Sequence, residues 1–130
     1  MSEETRLRSS LGRARGLGSA KEGITHWWAQ RVTAVALIPL VLWYVIAMVA
    51  LTGADRSTVI AWLQSPFPAI VTVLLLIAVF YHMSLGIQVV IEDYVHSEWV
   101  KISALVLNKL VAFALAAAGI FAVLRIAFQG

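Results

Sequence analysis

Cysteine is absent from the 130 residues, which excludes disulfides, thiolate metal centres, iron-sulfur ligation and thiol nucleophiles from this chain. Any metal has to be held by His, carboxylate or Met. Charge is scarce too: Asp, Glu, Lys and Arg make up 13%, about half of what a soluble domain carries. Hydrophobic residues supply 61%, and the composition is that of a membrane protein. A bilayer crossing takes roughly 20 apolar residues, so this length admits one domain of about three spans and no separate soluble catalytic domain. No internal repeat is visible. Three spans do not divide into the inverted halves of many transporters, which argues against a solute carrier.

The net charge of +3 does not point to nucleic acid, because Arg6, Arg8, Arg13, Arg15, Lys21 and Arg31 all precede the first apolar run. That asymmetry is the positive-inside signal and expects a cytoplasmic, or matrix-side, N-terminus. Residues 1–30 are polar and basic, rich in Arg, Gly and Ser, and are expected to form a tail. Glu3, Glu4 and Glu22 speak against a transit peptide, and so long a polar stretch before the apolar run speaks against a secretory signal. Residues 31–128 are expected to form an all-α domain of three transmembrane helices, with spans at about 32–51, 68–91 and 102–128. Pro39 falls inside the first span, where a kink is expected. Residues 52–67 read as a short polar loop with an interfacial turn around Trp62. Trp27, Trp28, Trp62 and Trp99 fall at span ends, where indoles prefer to sit.

His82 lies about fourteen residues into the second span, near mid-membrane, where polar side chains are costly. Imidazole sheds its charge near neutral pH and is a good axial donor to haem iron. Two readings stand: a haem ligand, or a structural His bonding a neighbouring helix. On a helical wheel Gly86, Val89 and Asp93 share its stripe. Gly86 leaves room for a flat macrocycle, or serves ordinary close helix packing. With a single intramembrane His, a six-coordinate haem needs a second ligand from another chain, a heterodimer being favoured over a homodimer. Tyr81, Ser84 and Gln88 point away from the stripe and suit helix-packing hydrogen bonds. His26 and His96 lie outside the spans, where solvation is expected, and Lys109 is expected to snorkel to the inner surface.

The stretch from His82 through Gly86 to Asp93, Tyr94 and Val95 resembles the signature of the small haem b anchor in succinate:quinone oxidoreductases (complex II). The stretch from Trp27 to Ala34, with its Arg-x-Thr-Ala element at Arg31, is similar to that family's opening of the first span. The likeness covers about residues 18–128. It implies that His82 is one axial ligand of a haem b shared with a larger anchor subunit. It further implies that Arg31 lies near the haem propionates and the quinone pocket, that Tyr94 reaches a ubiquinone carbonyl, and that Asp93 neighbours that site.

Topology is compatible with this set. Arg31 opens the first span and Tyr94 closes the second, so both belong to the inner end, with His82 about 18 Å along the helix from Tyr94. A phenol can hydrogen-bond a quinone oxygen and stabilise charge developing on it. The plainer readings are a topological anchor for Arg31 and an interfacial belt residue for Tyr94. The resemblance thus implies half of a two-chain helical anchor bundle in the lipid bilayer, partnered by the larger anchor, an iron-sulfur subunit and a flavoprotein. It would pass electrons to ubiquinone in the respiratory chain and tricarboxylic acid cycle, and fumarate reduction is the same chemistry in reverse. The expected site is the bacterial cytoplasmic membrane in preference to the mitochondrial inner membrane. Holding no flavin or cluster ligands, the chain is a non-catalytic subunit on its own. The alternative is a scaffold or assembly subunit that only docks soluble redox partners. A cytochrome b of another membrane oxidoreductase is disfavoured because such chains usually carry several intramembrane His of their own.

Overall fold

The computed structural model describes residues 10–11 and 21–129. Among the described residues four helices follow in order: α1 (Lys21–Ala50), α2 (Arg56–Gln64), α3 (Pro66–Tyr94) and α4 (Glu98–Phe128). Among the described residues there is no strand, and three helices are long and apolar enough to cross a membrane: Gly23–Ala50, Pro66–Tyr94 and Glu98–Phe128. The chain is an all-α, multi-pass membrane protein.

Each long helix overruns its apolar stretch. α1 starts at Lys21, inside the region expected to be tail, because a helix already formed in the bilayer keeps its backbone bonds when it emerges into polar surroundings. The other expectations for residues 1–20 lie almost wholly outside the described residues. Pro39 lies within α1, which is assigned as helix on both sides of it; the N–H that proline lacks is missing from the ladder there. α1 closes in a turn in which Gly53 takes φ 81°, a left-handed conformation suited to glycine.

Residues 56–64 correct the expectation of a polar loop, since they form a helix of nine residues. Asp55 caps it: Oδ1 accepts from the Thr58 backbone N–H at 2.9 Å and Oδ2 from the Ser57 hydroxyl at 2.8 Å. These bonds hold the Asp55 carboxyl below its usual pKa, the Thr58 contact being the largest cause. Trp62 then stacks on Trp43 of α1 at 5.7 Å, and Phe67 meets the same indole edge-on at 5.8 Å. A short amphipathic turn sequence becomes a helix because it has a cap at one end and an aromatic platform beneath it. Pro66, in the first turn of α3, suits a helix start, where no N–H is needed.

α3 lies between α1 and α4, and among the described residues no contact joins those two outer helices. The buried side chains sit on α3 and α4: Pro68, Leu75 and Leu85 on the one, Ala112 and Val123 on the other. At the tightest point Gly119 approaches Leu76 so closely that an added Cβ would stand 3.2 Å from a Leu76 methyl. Asn108 donates to the Ser84 carbonyl across the same seam. Among the described residues no side chain is fully buried. The helices form an open row whose apolar flanks are left for lipid or for other helices.

Candidate functional site

The site is built on α1 and α3. They run antiparallel in a register fixed by two pairs: Thr33 Oγ1 lies 2.9 Å from His82 Nδ1, and Gln30 Nε2 lies 3.9 Å from where a Gly86 Cβ would be. His82 is half-buried, and its Nδ1 is engaged by Thr33. Nε2 has no hydrogen-bond partner among the described residues. One ring nitrogen is thereby anchored and the other is available.

Gly86 sits one turn from His82. The contact with Gln30 is ordinary van der Waals distance, so helix packing within this chain does not require glycine there. Gly119, by contrast, is a true close approach. The packing explanation therefore belongs to Gly119, while a Cβ at Gly86 would meet Gln30 only at ordinary contact distance.

α3 is continuous to Tyr94, which gives the His82 to Tyr94 rise of about 18 Å its rod. Asp93 and Tyr94 are exposed, the tyrosine at 77%. Arg31 is exposed as well, its guanidinium carbon 4.8 Å from the centre of the Trp27 ring. Arg31 and Tyr94 share an end of the row but not a depth. Thr33 is level with His82, so Arg31 lies about 3 Å and Tyr94 about 18 Å toward that end, a difference of about 15 Å. Among the described residues no hydrogen bond or ion pair joins Arg31, Asp93 and Tyr94. Arg31 thus belongs to the neighbourhood of His82, and Tyr94 with Asp93 forms a separate cluster at the rim.

The polar residues behind the stripe divide as follows. Ser84 accepts from Asn108 Nδ2 through its carbonyl at 2.9 Å and its hydroxyl at 3.3 Å, a true interhelical contact. Gln88 instead donates to Glu92 within α3 at 2.9 Å. Tyr81, Ser84, Gln88 and Lys109 border a groove of about 810 Å³ along the α3–α4 flank, away from His82. His96 is exposed, as expected. His26 is not solvated at its ring nitrogen: Nε2 is buried without a partner, as is Gln30 Oε1. The helix persists to Lys21 and carries His26 into the α1 surface, which explains the difference.

Thr33 enters the sequence reading only as the Thr of the Arg-x-Thr-Ala element, with no role of its own. The available signal was the spacing of His26, Gln30 and Thr33, which puts three polar groups on one face of an otherwise apolar helix. No group of three or more His, Asp or Glu converges among the described residues.

Comparison with known proteins gives the family. A sequence profile described as the succinate dehydrogenase/fumarate reductase transmembrane subunit matches residues 5–123. The succinate dehydrogenase hydrophobic membrane anchor subunit of Paracoccus denitrificans is 35% identical over 112 residues, 86% of each chain. The protein of the same name in Rickettsia bellii is 35% identical over 104 residues, 80% of this chain and 83% of its own. The succinate dehydrogenase membrane anchor subunit of Reclinomonas americana is 32% identical over 95 residues, covering 71% and 79%. With a match over nearly its whole length and three membrane-crossing helices in an open row, this chain belongs to the family of succinate dehydrogenase/fumarate reductase transmembrane subunits.

Proposed function

We propose that this chain is the small membrane anchor of a succinate:quinone oxidoreductase, supplying one axial ligand to a shared haem b and part of a ubiquinone site. The observation that carries this reading is His82, a lone mid-span imidazole with Nδ1 held and Nε2 unpartnered among the described residues. The donor fits haem: a neutral nitrogen is a good axial ligand, and the flank at Gly86 is free of close packing. The names of the relatives support the succinate dehydrogenase assignment. The open row supports partner subunits: a second anchor helix bearing the other His, and an iron-sulfur protein with its flavoprotein at the end bearing Tyr94.

When bound, haem b supplies a one-electron redox centre at mid-membrane. The chain's own residues act around it. His82 would hold the iron through Nε2, and Arg31, close to that depth, would offer its guanidinium to the propionates, a bidentate match. Its stack on Trp27 keeps the cation from extending straight into water. At the rim, the Tyr94 hydroxyl donates to a quinone carbonyl oxygen. Reduction of ubiquinone to ubiquinol takes up two electrons and two protons, and a donor aimed at that oxygen stabilises negative charge before the protons arrive. Asp93 places a carboxylate beside that position. A quinone lying between the depths of Arg31 and Tyr94 has the cation on its membrane side and the phenol on its aqueous side. The N-terminus is assigned to the cytoplasmic face of a bacterial inner membrane, on the strength of the basic residues before the first span.

The test is an optical spectrum of the purified complex reduced with dithionite, alongside His82→Ala. The reading expects a b-type band that is lost in the variant while the complex remains assembled. A scaffold that only docks soluble subunits would show no band, or one indifferent to His82.

A further inference from the structure

Thr33 touches the one side chain on which the haem reading rests. Its Oγ1 lies 2.7 Å from the Ala29 carbonyl, 3.2 Å from the Gln30 carbonyl and 2.9 Å from His82 Nδ1. A hydroxyl has one hydrogen and two lone pairs. Helical threonine commonly gives that hydrogen to the carbonyl four residues back, and the shortest of the three contacts is that carbonyl. With the proton assigned there, the Oγ1 lone pairs face His82, so Nδ1 carries a hydrogen and donates. In an uncharged imidazole the other nitrogen, Nε2, then holds a lone pair free to bind a metal.

We propose that Thr33 is a positioning residue that fixes the Nδ1–H tautomer and the ring plane of His82, so that Nε2 is presented to haem iron as a preset donor. This rests on the reading of His82 as an axial ligand. No other described side chain hydrogen-bonds His82. Gln30, one turn earlier on the same face, goes to Gly86 instead and leaves its Oε1 without a partner. The β-branched side chain is held by its own backbone and does not swing away when the imidazole pulls on it. The chain of bonds runs from the Ala29 carbonyl through the Thr33 hydroxyl to Nδ1–H, and each bond polarises the next. Drawing the Nδ1 proton outward raises electron density at Nε2, as partners behind metal-bound histidines do. A more basic ligand favours the ferric state, so Thr33 lowers the haem potential.

The experiment is a redox titration and low-temperature EPR of the intact, purified complex carrying Thr33→Val or Thr33→Ser, with His82→Ala as control. Valine keeps the shape and removes the hydroxyl; serine restores the hydroxyl without the methyl. The expected result is a midpoint potential shifted upward and altered low-spin g values in Thr33→Val, with both returned toward wild type in Thr33→Ser. A Thr33→Val complex that keeps the wild-type potential and g values overturns the proposal and leaves the axial role of His82 standing. If Thr33→Val assembles without haem, recovery of haem in Thr33→Ser supports the proposal and failure to recover it overturns it. A b-type band that survives His82→Ala sinks the ligand reading itself, an outcome distinct from the others.

Discussion

Asn108 bridges α4 to α3 by donating to the backbone of Ser84, 2.9 Å from its carbonyl and 3.3 Å from its hydroxyl. The carbonyl also belongs to the α3 ladder, so losing Asn108 removes a second donor and does not orphan the acceptor. Asn108→Leu is therefore expected to lower stability by about 0.6 kcal/mol, the usual size of an interhelical hydrogen bond in a bilayer. Ser84→Ala should change less, since the shorter contact is to backbone. Thermal unfolding of the detergent-solubilised complex is the measurement, and a larger loss for Ser84→Ala would contradict this ranking.

Tyr94 ends α3 with its side chain 77% exposed. Its replacement by Phe keeps the ring and removes the donor. Succinate-dependent quinone reduction is expected to fall by about ten-fold to a hundred-fold, the range for a hydrogen bond to a charged group. Reduction of an artificial acceptor that takes electrons upstream should be spared. Equal loss of both activities would assign Tyr94 to assembly.

Arg31 and Thr33 make opposite electrostatic predictions. A guanidinium near the haem disfavours the oxidised, more positive state, so Arg31→Leu should lower the midpoint potential where Thr33→Val raises it. Arg31→Lys keeps the charge while losing the planar stack on Trp27 and the bidentate geometry, so its shift should be smaller but present. Redox titration of the haem band checks both signs.

Asp55 caps α2 as a carboxylate, and its pKa is held down by the bonds from Thr58 and Ser57. A lowered folded pKa means stability that is fully present above the unfolded value of about 3.9 and is lost as pH falls through the folded one. The Trp43–Trp62 stack should accordingly persist from neutral pH down to about 4 and loosen as pH falls further, measured by near-ultraviolet circular dichroism. In Asp55→Ala the stack should be weaker throughout, with that acid step diminished.

The long elements were legible because a bilayer leaves little choice. Twenty apolar residues must hydrogen-bond their own backbone, and the helix is the only local way to do so. Helix ends were read less well, since hydropathy marks where the hydrocarbon stops and says nothing about where the backbone ladder stops. α1 therefore begins at Lys21, before the apolar run. α2 was missed because its evidence is tertiary: Trp62 needs Trp43, nineteen residues earlier, to stack upon. In the site, His82 and Tyr94 stood out as rare groups at telling depths. Thr33 did not, because a hydroxyl in a membrane helix ordinarily bonds its own backbone, and only the α1–α3 register shows that this one also meets His82.

The two outer helices do not touch, and this has a bearing on biogenesis. In a closed bundle a newcomer must prise helices apart to reach the middle one. A row can be joined from the side, so a partner helix can slide in through the lipid after all three helices have been inserted and folded. Membrane insertion and assembly with partner subunits can then be separate events in time.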